Sequence, residues 1–344
     1  MSVPRYRIGI VGAGFGATAH LPALLNHARF EVIAIASPSS AGEVAKRANI
    51  PHAFRTCAEM LEGCELDAVT VASPPFAHLE DVSAALAAGK HVLAEKPFAL
   101  RLADARAMAQ AADAAGTACG VSHEFRFVPQ AMALRELIQH HHLGLLRDIE
   151  ITLLRATLRR NERRARSWWF ERERGGGLAG AVASHLFDQA NWLAGRAPVR
   201  TSGFRRTANP QRADDRGTFE STVDDGAFAL VEYGDGLVAR ITADATAAIE
   251  SYTCAAHGER RTAVASGPTI VEVALYTVDQ HQTDELECTR SPYERFASIN
   301  GNVPPLMDLY DEFVKKIEGE PNLLPTFEEA VRTQESLAAI GYEL

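Results

Sequence analysis

The sequence predicts an α/β chain, a doubly wound parallel sheet followed by a second α/β domain rich in strands. Three observations predict it. Short apolar runs alternate with helically spaced segments over the first third. A glycine-rich turn follows the first of those runs. From about residue 123 the alternation gives way to a different pattern, mostly strands after Pro198. A chain of 344 residues exceeds one ordinary core, so two domains are expected, 1–122 and 123–344.

Composition narrows the class. With 47% hydrophobic and 23% charged residues this is an ordinary globular chain, and its net charge of -9 argues against a general nucleic-acid or anionic-membrane binder. Cys57, Cys64, Cys119, Cys254 and Cys288 lack CxxC spacing, which favours free thiols in a reducing compartment over disulfides or a structural zinc site. No apolar run reaches membrane-spanning length, and the first strand begins near Tyr6, leaving no room for a signal peptide. A cytoplasmic protein is expected.

Residues 6–11 read as a buried strand, followed at once by Gly12-Ala13-Gly14-Phe15-Gly16-Ala17 and a helix over 18–27 with Leu21, Leu24 and Leu25 on one face. Small residues stand at the fingerprint positions Gly12, Gly14 and Ala17. Gly12 permits the tight turn, Gly14 lets the backbone approach a pyrophosphate, and Ala17 lets the helix pack on the strand. The helix start offers N–H groups to phosphates. Gly12, Gly14, Phe15, Gly16 and Ala17 are therefore candidate cofactor contacts.

The second strand, 30–36, ends in Ser37-Pro38-Ser39-Ser40, where an NAD-binding chain usually has an acid for the ribose hydroxyls. Ser37, Ser39 and Ser40 would tolerate a 2′-phosphate, and Lys46 and Arg47 follow one helical stretch on. NADP is favoured and NAD stays open; the plainer reading of the serines is a helix cap. Another strand, 66–72, runs into Ser73-Pro74-Pro75, a stiff loop at the same edge, and His78 opens a helix to Gly89. Next comes the run His91-Val92-Leu93-Ala94, ending in Glu95-Lys96-Pro97. Ligands bind outside the carboxyl ends of such strands, so Lys96 is placed to meet one, and lysine shifts its pKa readily enough to move a proton. Pro97 restricts the backbone and leaves cis or trans open. A helix over 102–115 follows, and 116–121 leads into Ser122-His123-Glu124-Phe125-Arg126-Phe127-Val128-Pro129.

These pieces resemble the Gfo/Idh/MocA oxidoreductase family, named for glucose–fructose oxidoreductase and inositol dehydrogenase. The resemblance rests on the glycine turn 12–17, Ser73-Pro74-Pro75 with His78, Gly89 to Pro97, Arg126-Phe127-Val128-Pro129, the glycine-rich segment 175–188 and Phe327-Glu328-Glu329-Ala330. It implies a Rossmann domain followed by an α/β domain on a large, mostly antiparallel sheet. Members commonly associate through that sheet's open face, which implies a homodimer or homotetramer. The family usually oxidises or reduces a secondary alcohol or ketone of a sugar, cyclitol or sugar derivative. By the same resemblance, Glu95 and Lys96 lie beside the nicotinamide with Lys96 on the reacting oxygen. Arg126 takes a position that contacts cofactor or substrate, and Ser73, Pro74, Pro75 and His78 border the cofactor.

In the second part, residues 131–142 read as a helix ending in His140-His141-His142, whose side chains diverge too widely for one metal site. A strand over 149–158 follows. A basic segment then carries Arg155, Arg159, Arg160, Arg163, Arg164, Arg166, Arg172 and Arg174 around Trp168 and Trp169. In the family this region approaches the substrate, so Arg166, Trp168 and Trp169 are candidate contacts, and arginines here would suit an anionic group. The plainer reading is a solvated loop balanced by Glu162, Glu171 and Glu173. The helix opened by 175–188 carries His185 and Asp188 on adjoining parts of one face; His185 is a candidate catalytic partner of Lys96, and Asp188 a candidate substrate contact. Many members have an aspartate four residues before the histidine; this chain has Ala181, which can neither accept a hydrogen bond nor tune a neighbour. Glu124 is one acid that would substitute for it. Residues 224–243 read as a hairpin around Gly234-Asp235-Gly236, and helices over 306–318 and 326–340 close the domain. No metal-ligand spacing and no serine or cysteine nucleophile motif appears. The expected activity is NAD(P)-dependent hydride transfer on a sugar-like molecule. The alternative, which Ala181 sustains, is a dinucleotide-binding sensor without turnover, like a fungal co-repressor of the same family.

Overall fold

The computed structural model describes residues 5–160 and 162–343. It divides into two compact units, one of residues 1–124 and 291–331, the other of 125–290 and 332–344.

The first unit is built on six parallel strands: β1 (Tyr6–Val11), β2 (Phe30–Ala36), β3 (His52–Phe54), β4 (Ala68–Val71), β5 (His91–Ala94) and β6 (Cys119–Val121). Their order, β3-β2-β1-β4-β5-β6, is that of a doubly wound dinucleotide-binding sheet. All four residues of β4 are buried, as are three of the four in β5, because helices cover both faces of the sheet. Successive backbone bonds bring the strand ends to one edge: Gly12 N to Ala36 O at 2.8 Å, Ala72 N to Val11 O at 2.7 Å, Glu95 N to Val71 O at 2.8 Å and Ser122 N to Ala94 O at 2.8 Å.

The helix Val303–Ile317 belongs to this unit rather than to the second domain, where the sequence reading put it. Its buried face, Leu306, Leu309, Tyr310 and Phe313, packs on β2; Phe30 lies 5.3 Å from the Tyr310 ring and 6.3 Å from that of Phe313. Amphipathic spacing reveals a buried face but not the sheet that buries it.

The second unit carries an eight-stranded sheet. Its strands are β7 (Leu146–Leu154), β8 (Arg200–Arg206), β11 (Gly226–Gly234), β12 (Leu237–Asp244), β13 (Ser251–Gly258), β14 (Thr262–Thr269), β15 (Glu272–Val278) and β16 (Thr283–Leu286); β9 (Gln211–Asp214) and β10 (Gly217–Glu220) form a separate hairpin. The order is β16-β15-β14-β13-β7-β12-β11-β8, antiparallel throughout except β7 against β12. The expected hairpin is β11–β12, and its turn residues Gly234, Asp235 and Gly236 all have positive φ. Alternation sets the two faces: Ile149, Ile151, Leu153, Ala239, Ile241 and Ala243 are buried in the core that the helix Ser184–Ala194 helps to form. On β8 and β11, Phe204 is 60% exposed and stacked on Phe228 at 5.2 Å, and Leu230 is exposed as well.

Candidate active site

The glycine turn builds the first part of the site. Gly12 adopts φ +103, and a Cβ there would lie 2.2 Å from the Ala72 carbonyl oxygen, so no other residue fits. Gly14 is the opposite case: a Cβ would meet nothing within 4 Å, which leaves its backbone open to a pyrophosphate. Gly16 also packs closely on the strand: its Cβ would stand 3.1 Å from Ile10 and 3.3 Å from Ala72. Gly16 begins a π-helical turn, Gly16–His20, ahead of the helix Leu21–Leu25, and Gly16, Ala19 and His20 are its buried residues. Such turns occur often at functional sites.

Two loops at the carboxyl edge meet at His78. The buried ring meets the Ser73 carbonyl through Nε2 at 2.8 Å and the Phe98 carbonyl through Nδ1 at 3.1 Å. His78 therefore stands between the Ser73-Pro74-Pro75 loop and the loop after Lys96, where each tautomer of the neutral ring donates to one of the two carbonyls. The Ser73 hydroxyl donates to Asp81 Oδ2 at 2.6 Å. Burial pushes the Asp81 carboxyl up, against the opposing pull of that bond. The Lys96–Pro97 peptide is cis.

Glu95 and Lys96 follow β5. Glu95 is 5% exposed; its Oε1 faces His20 Nε2 at 2.9 Å, and its Oε2 accepts the Lys96 backbone N–H at 3.1 Å. Burial opposes ionisation, but the His20 hydrogen bond and the Lys96 charge outweigh it and hold the carboxyl below the usual range. The Lys96 ammonium stands 5.6 Å from the centre of the Phe15 ring. On its far nitrogen His20 meets the Tyr310 hydroxyl at 2.8 Å, and Tyr310 meets Thr70 Oγ1 at 2.8 Å.

His185 lies in the second unit, just after a second π-helical turn, Ala179–Ala183, which contains Ala181. Its buried ring stacks on Phe125 at 3.9 Å and 20°. Asp224 anchors the start of that turn by accepting the Ala179 N–H at 2.6 Å and an Arg205 bond at 2.9 Å. Burial pushes the Asp224 carboxyl up, and these partners oppose the shift without reversing it. Arg126 and Asp188, expected to face cofactor and substrate, bind each other as a buried bidentate pair at 2.7 and 2.6 Å.

Four of the eight arginines in the arginine-rich segment are balanced by acids. Arg155 pairs with Glu250 at 3.4 Å, Arg159 with Glu162 at 2.5 Å, Arg163 with Asp215 at 3.6 Å and Arg174 with Glu171 at 3.7 Å. Arg164 lies on the Trp169 ring at 4.1 Å and the exposed Arg166 over Phe219 at 5.7 Å; Trp168 and Trp169 are half-buried in a short 3₁₀ turn. At the end of β2, Ser37 and Ser40 bond each other through their hydroxyls at 3.1 Å; Ser40 makes no side-chain cap, and Ser39 is exposed. All five cysteines are free. Among the described residues no cluster of histidine, cysteine and acidic side chains could hold a metal ion, and no helix is long and apolar enough to cross a membrane.

Residues 6–123 match the oxidoreductase family with the NAD-binding Rossmann fold named Gfo/Idh/MocA, and residues 131–264 match its C-terminal domain. An uncharacterised oxidoreductase of Synechocystis is 30% identical over 342 residues, covering 96% of this chain and 92% of that one. The chain belongs to the Gfo/Idh/MocA family. It is thus an NAD(P)-binding oxidoreductase, and the bare backbone at Gly14 fits a dinucleotide. Levoglucosan dehydrogenase of Pseudarthrobacter phenanthrenivorans is 26% identical over 261 residues, 69% of this chain and 66% of its own length. A structure of levoglucosan dehydrogenase with NADH and levoglucosan shares the fold, with a TM-score of 0.85, 22% identity and coverage of 98% and 96%.

Within the family frame, the sequence reading missed His20, Thr70, Tyr310, Phe125 and Asp224. His20 carried a signal: it stands four residues before the core residue Leu24, a polar group on an apolar face. Tyr310 carried none, because it sits among apolar residues at helical spacing and reads as core.

Proposed function

We propose that the chain transfers hydride between a nicotinamide dinucleotide and a secondary alcohol or ketone carbon of a sugar, cyclitol or sugar derivative. The observation that carries the reading is Lys96 at the carboxyl edge of β5, backed by an anionic Glu95 and lying over the Phe15 ring of the glycine turn. The nicotinamide, when bound, gives or takes the hydride. As the neutral amine Lys96 takes the hydroxyl proton during oxidation, and as the ammonium it gives one to the oxygen during reduction. The dehydrogenase named for levoglucosan supports the sugar-like substrate class. NADP is the preferred cofactor in this reading, because Ser37, Ser39 and Ser40 stand where an acid would repel a 2′-phosphate.

Nicotinamide absorbance during incubation with polyols, aldoses, ketosugars, sugar acids and nucleotide sugars tests the reading, with both cofactors offered in both redox states. Lys96→Met is expected to lower turnover by ~10²–10⁴-fold with dinucleotide affinity kept. Unchanged turnover in that variant rejects the mechanism. Ala181 favours one second reading, a dinucleotide-binding sensor; tight binding without turnover across the panel is what that reading predicts.

Self-association through the exposed face of the eight-stranded sheet is part of the proposal, resting on the stacked Phe204 and Phe228 and on Leu230. Phe204→Glu would place a charge in that contact and is expected to yield a smaller species in sedimentation; an unchanged mass removes this face from assembly.

A further inference from the structure

We propose that His20 and Tyr310 are positioning residues for Lys96 that act through Glu95: with Thr70 they form a hydrogen-bond chain of one direction that holds Glu95 as an anion in a single orientation. The inference rests on the reading of Lys96 as the acid/base group.

The direction of every proton follows from Glu95. An ionised carboxylate only accepts, so the contact of Oε1 with His20 Nε2 at 2.9 Å makes Nε2–H the donor. In the neutral ring Nδ1 is then an acceptor, and the Tyr310 hydroxyl 2.8 Å away must donate to it. Burial raises the Tyr310 phenol well above its ordinary value, so its proton stays in place. Its oxygen is left to accept the Thr70 hydroxyl at 2.8 Å. His20, Thr70 and Tyr310 are all 0% exposed, so no water competes, and a reversed bond would leave a buried donor facing a donor.

A second contact ties the same histidine to the lysine. The Phe15 ring meets His20 edge-on at 5.6 Å and 85°, and its face carries the Lys96 ammonium at 5.6 Å. His20 therefore fixes both the carboxylate behind Lys96 and the ring under it. Supporting shells of this kind orient the groups that do the chemistry. A purely structural role would satisfy the same buried polar atoms but would leave turnover indifferent to the tautomer.

The test uses the full chain labelled with ¹⁵N-histidine near neutral pH, with the His20 signals identified by their loss in His20→Gln. The expected result is a neutral ring protonated on Nε2. Tyr310→Phe keeps the ring that fills the core and deletes the donor; it is expected to leave the His20 proton on Nε2, facing Glu95, and to move the Nδ1 signal as that nitrogen loses its hydrogen bond, while NADPH affinity, read by nicotinamide fluorescence, stays within about twofold. With a substrate from the panel, kcat is expected to fall about tenfold with KM within about twofold, the scale of one hydrogen bond between neutral groups. Thr70→Val, at the far end of the chain, is expected to do the same to a smaller degree. A wild-type ring protonated on Nδ1 or on both nitrogens overturns the proposal. So does a Tyr310→Phe variant that loses stability while its His20 signals stay unmoved. The spectra require no turnover, so a panel without a substrate leaves this test intact, and a failed tautomer test leaves the hydride reading standing.

Discussion

Each unit carries a histidine at or just beyond the end of a π-helical turn, and the two rings are held in different ways. His20 is gripped at both nitrogens, by Tyr310 and by Glu95. His185 is held by the face of its ring on Phe125. Hydrogen bonds at both nitrogens fix a tautomer, whereas stacking fixes the ring plane and leaves the tautomer to whatever the ring edge meets. The neighbouring acids differ in parallel. A histidine donor and a nearby ammonium favour the anionic form of Glu95, while Asp188 accepts both arms of the Arg126 fork. The first arrangement suits orientation and the second suits packing, although both occur in buried surroundings.

The largest expected effect breaks the second arrangement. Arg126→Met strands a buried carboxylate and is expected to cost about 3–5 kcal/mol in urea unfolding. The double variant Arg126→Met/Asp188→Leu is expected to recover most of that loss. Equal losses in single and double variants would show that the guanidinium matters for more than its pair, and the contrast with Glu95 would then fail.

Phe125→Leu sharpens the contrast at the histidines. Removing the stacked ring is expected to cost about 1–2 kcal/mol and to shift the His185 ring signals while those of His20 stay in place. Movement of both sets would mean that the two rings respond to one packing change.

The smallest effect concerns the helix that supplies Tyr310. Burial pushes the Asp308 carboxyl from an ordinary 3.8 up to about 6, only partly offset by a Ser291 hydrogen bond. Between those values the native chain binds more protons than the unfolded one, so this group's contribution to stability falls as pH rises through the window. Asparagine does not ionise. Asp308→Asn is therefore expected to gain on the wild type from about pH 4 to 6 and to level off above, at about 1 kcal/mol because solvent screens this partly exposed carboxyl. A constant difference between the two unfolding midpoints across that range would show that Asp308 is not strained by its charge. Glu95 predicts the reverse slope, because its lowered carboxyl loses its contribution as pH falls through its native value.

What could be read from residues alone follows a clear line. The glycine turn, the strand ends at Val11 and Ala94, the helix Leu102–Ala115 and the hairpin turn at Gly234-Asp235-Gly236 all depend on neighbours a few residues apart, through φ preferences and side-chain periods of two or 3.6. Lys96 and Glu95 could be placed on the sheet edge for the same reason. Partnership was another matter. The sequence singled out Arg126 and Asp188 as two separate contacts, and the fold paired them across 62 positions. It showed His78 beside a loop, and the fold set that ring between the carbonyls of Ser73 and Phe98. Tyr310 reaches His20 across 290 positions only because the helix Val303–Ile317 packs on β2. Local conformation is set by short-range sterics that a sequence carries openly, but a buried acid takes whichever donor the packed chain delivers to it, and that choice is made only when distant segments exclude water together.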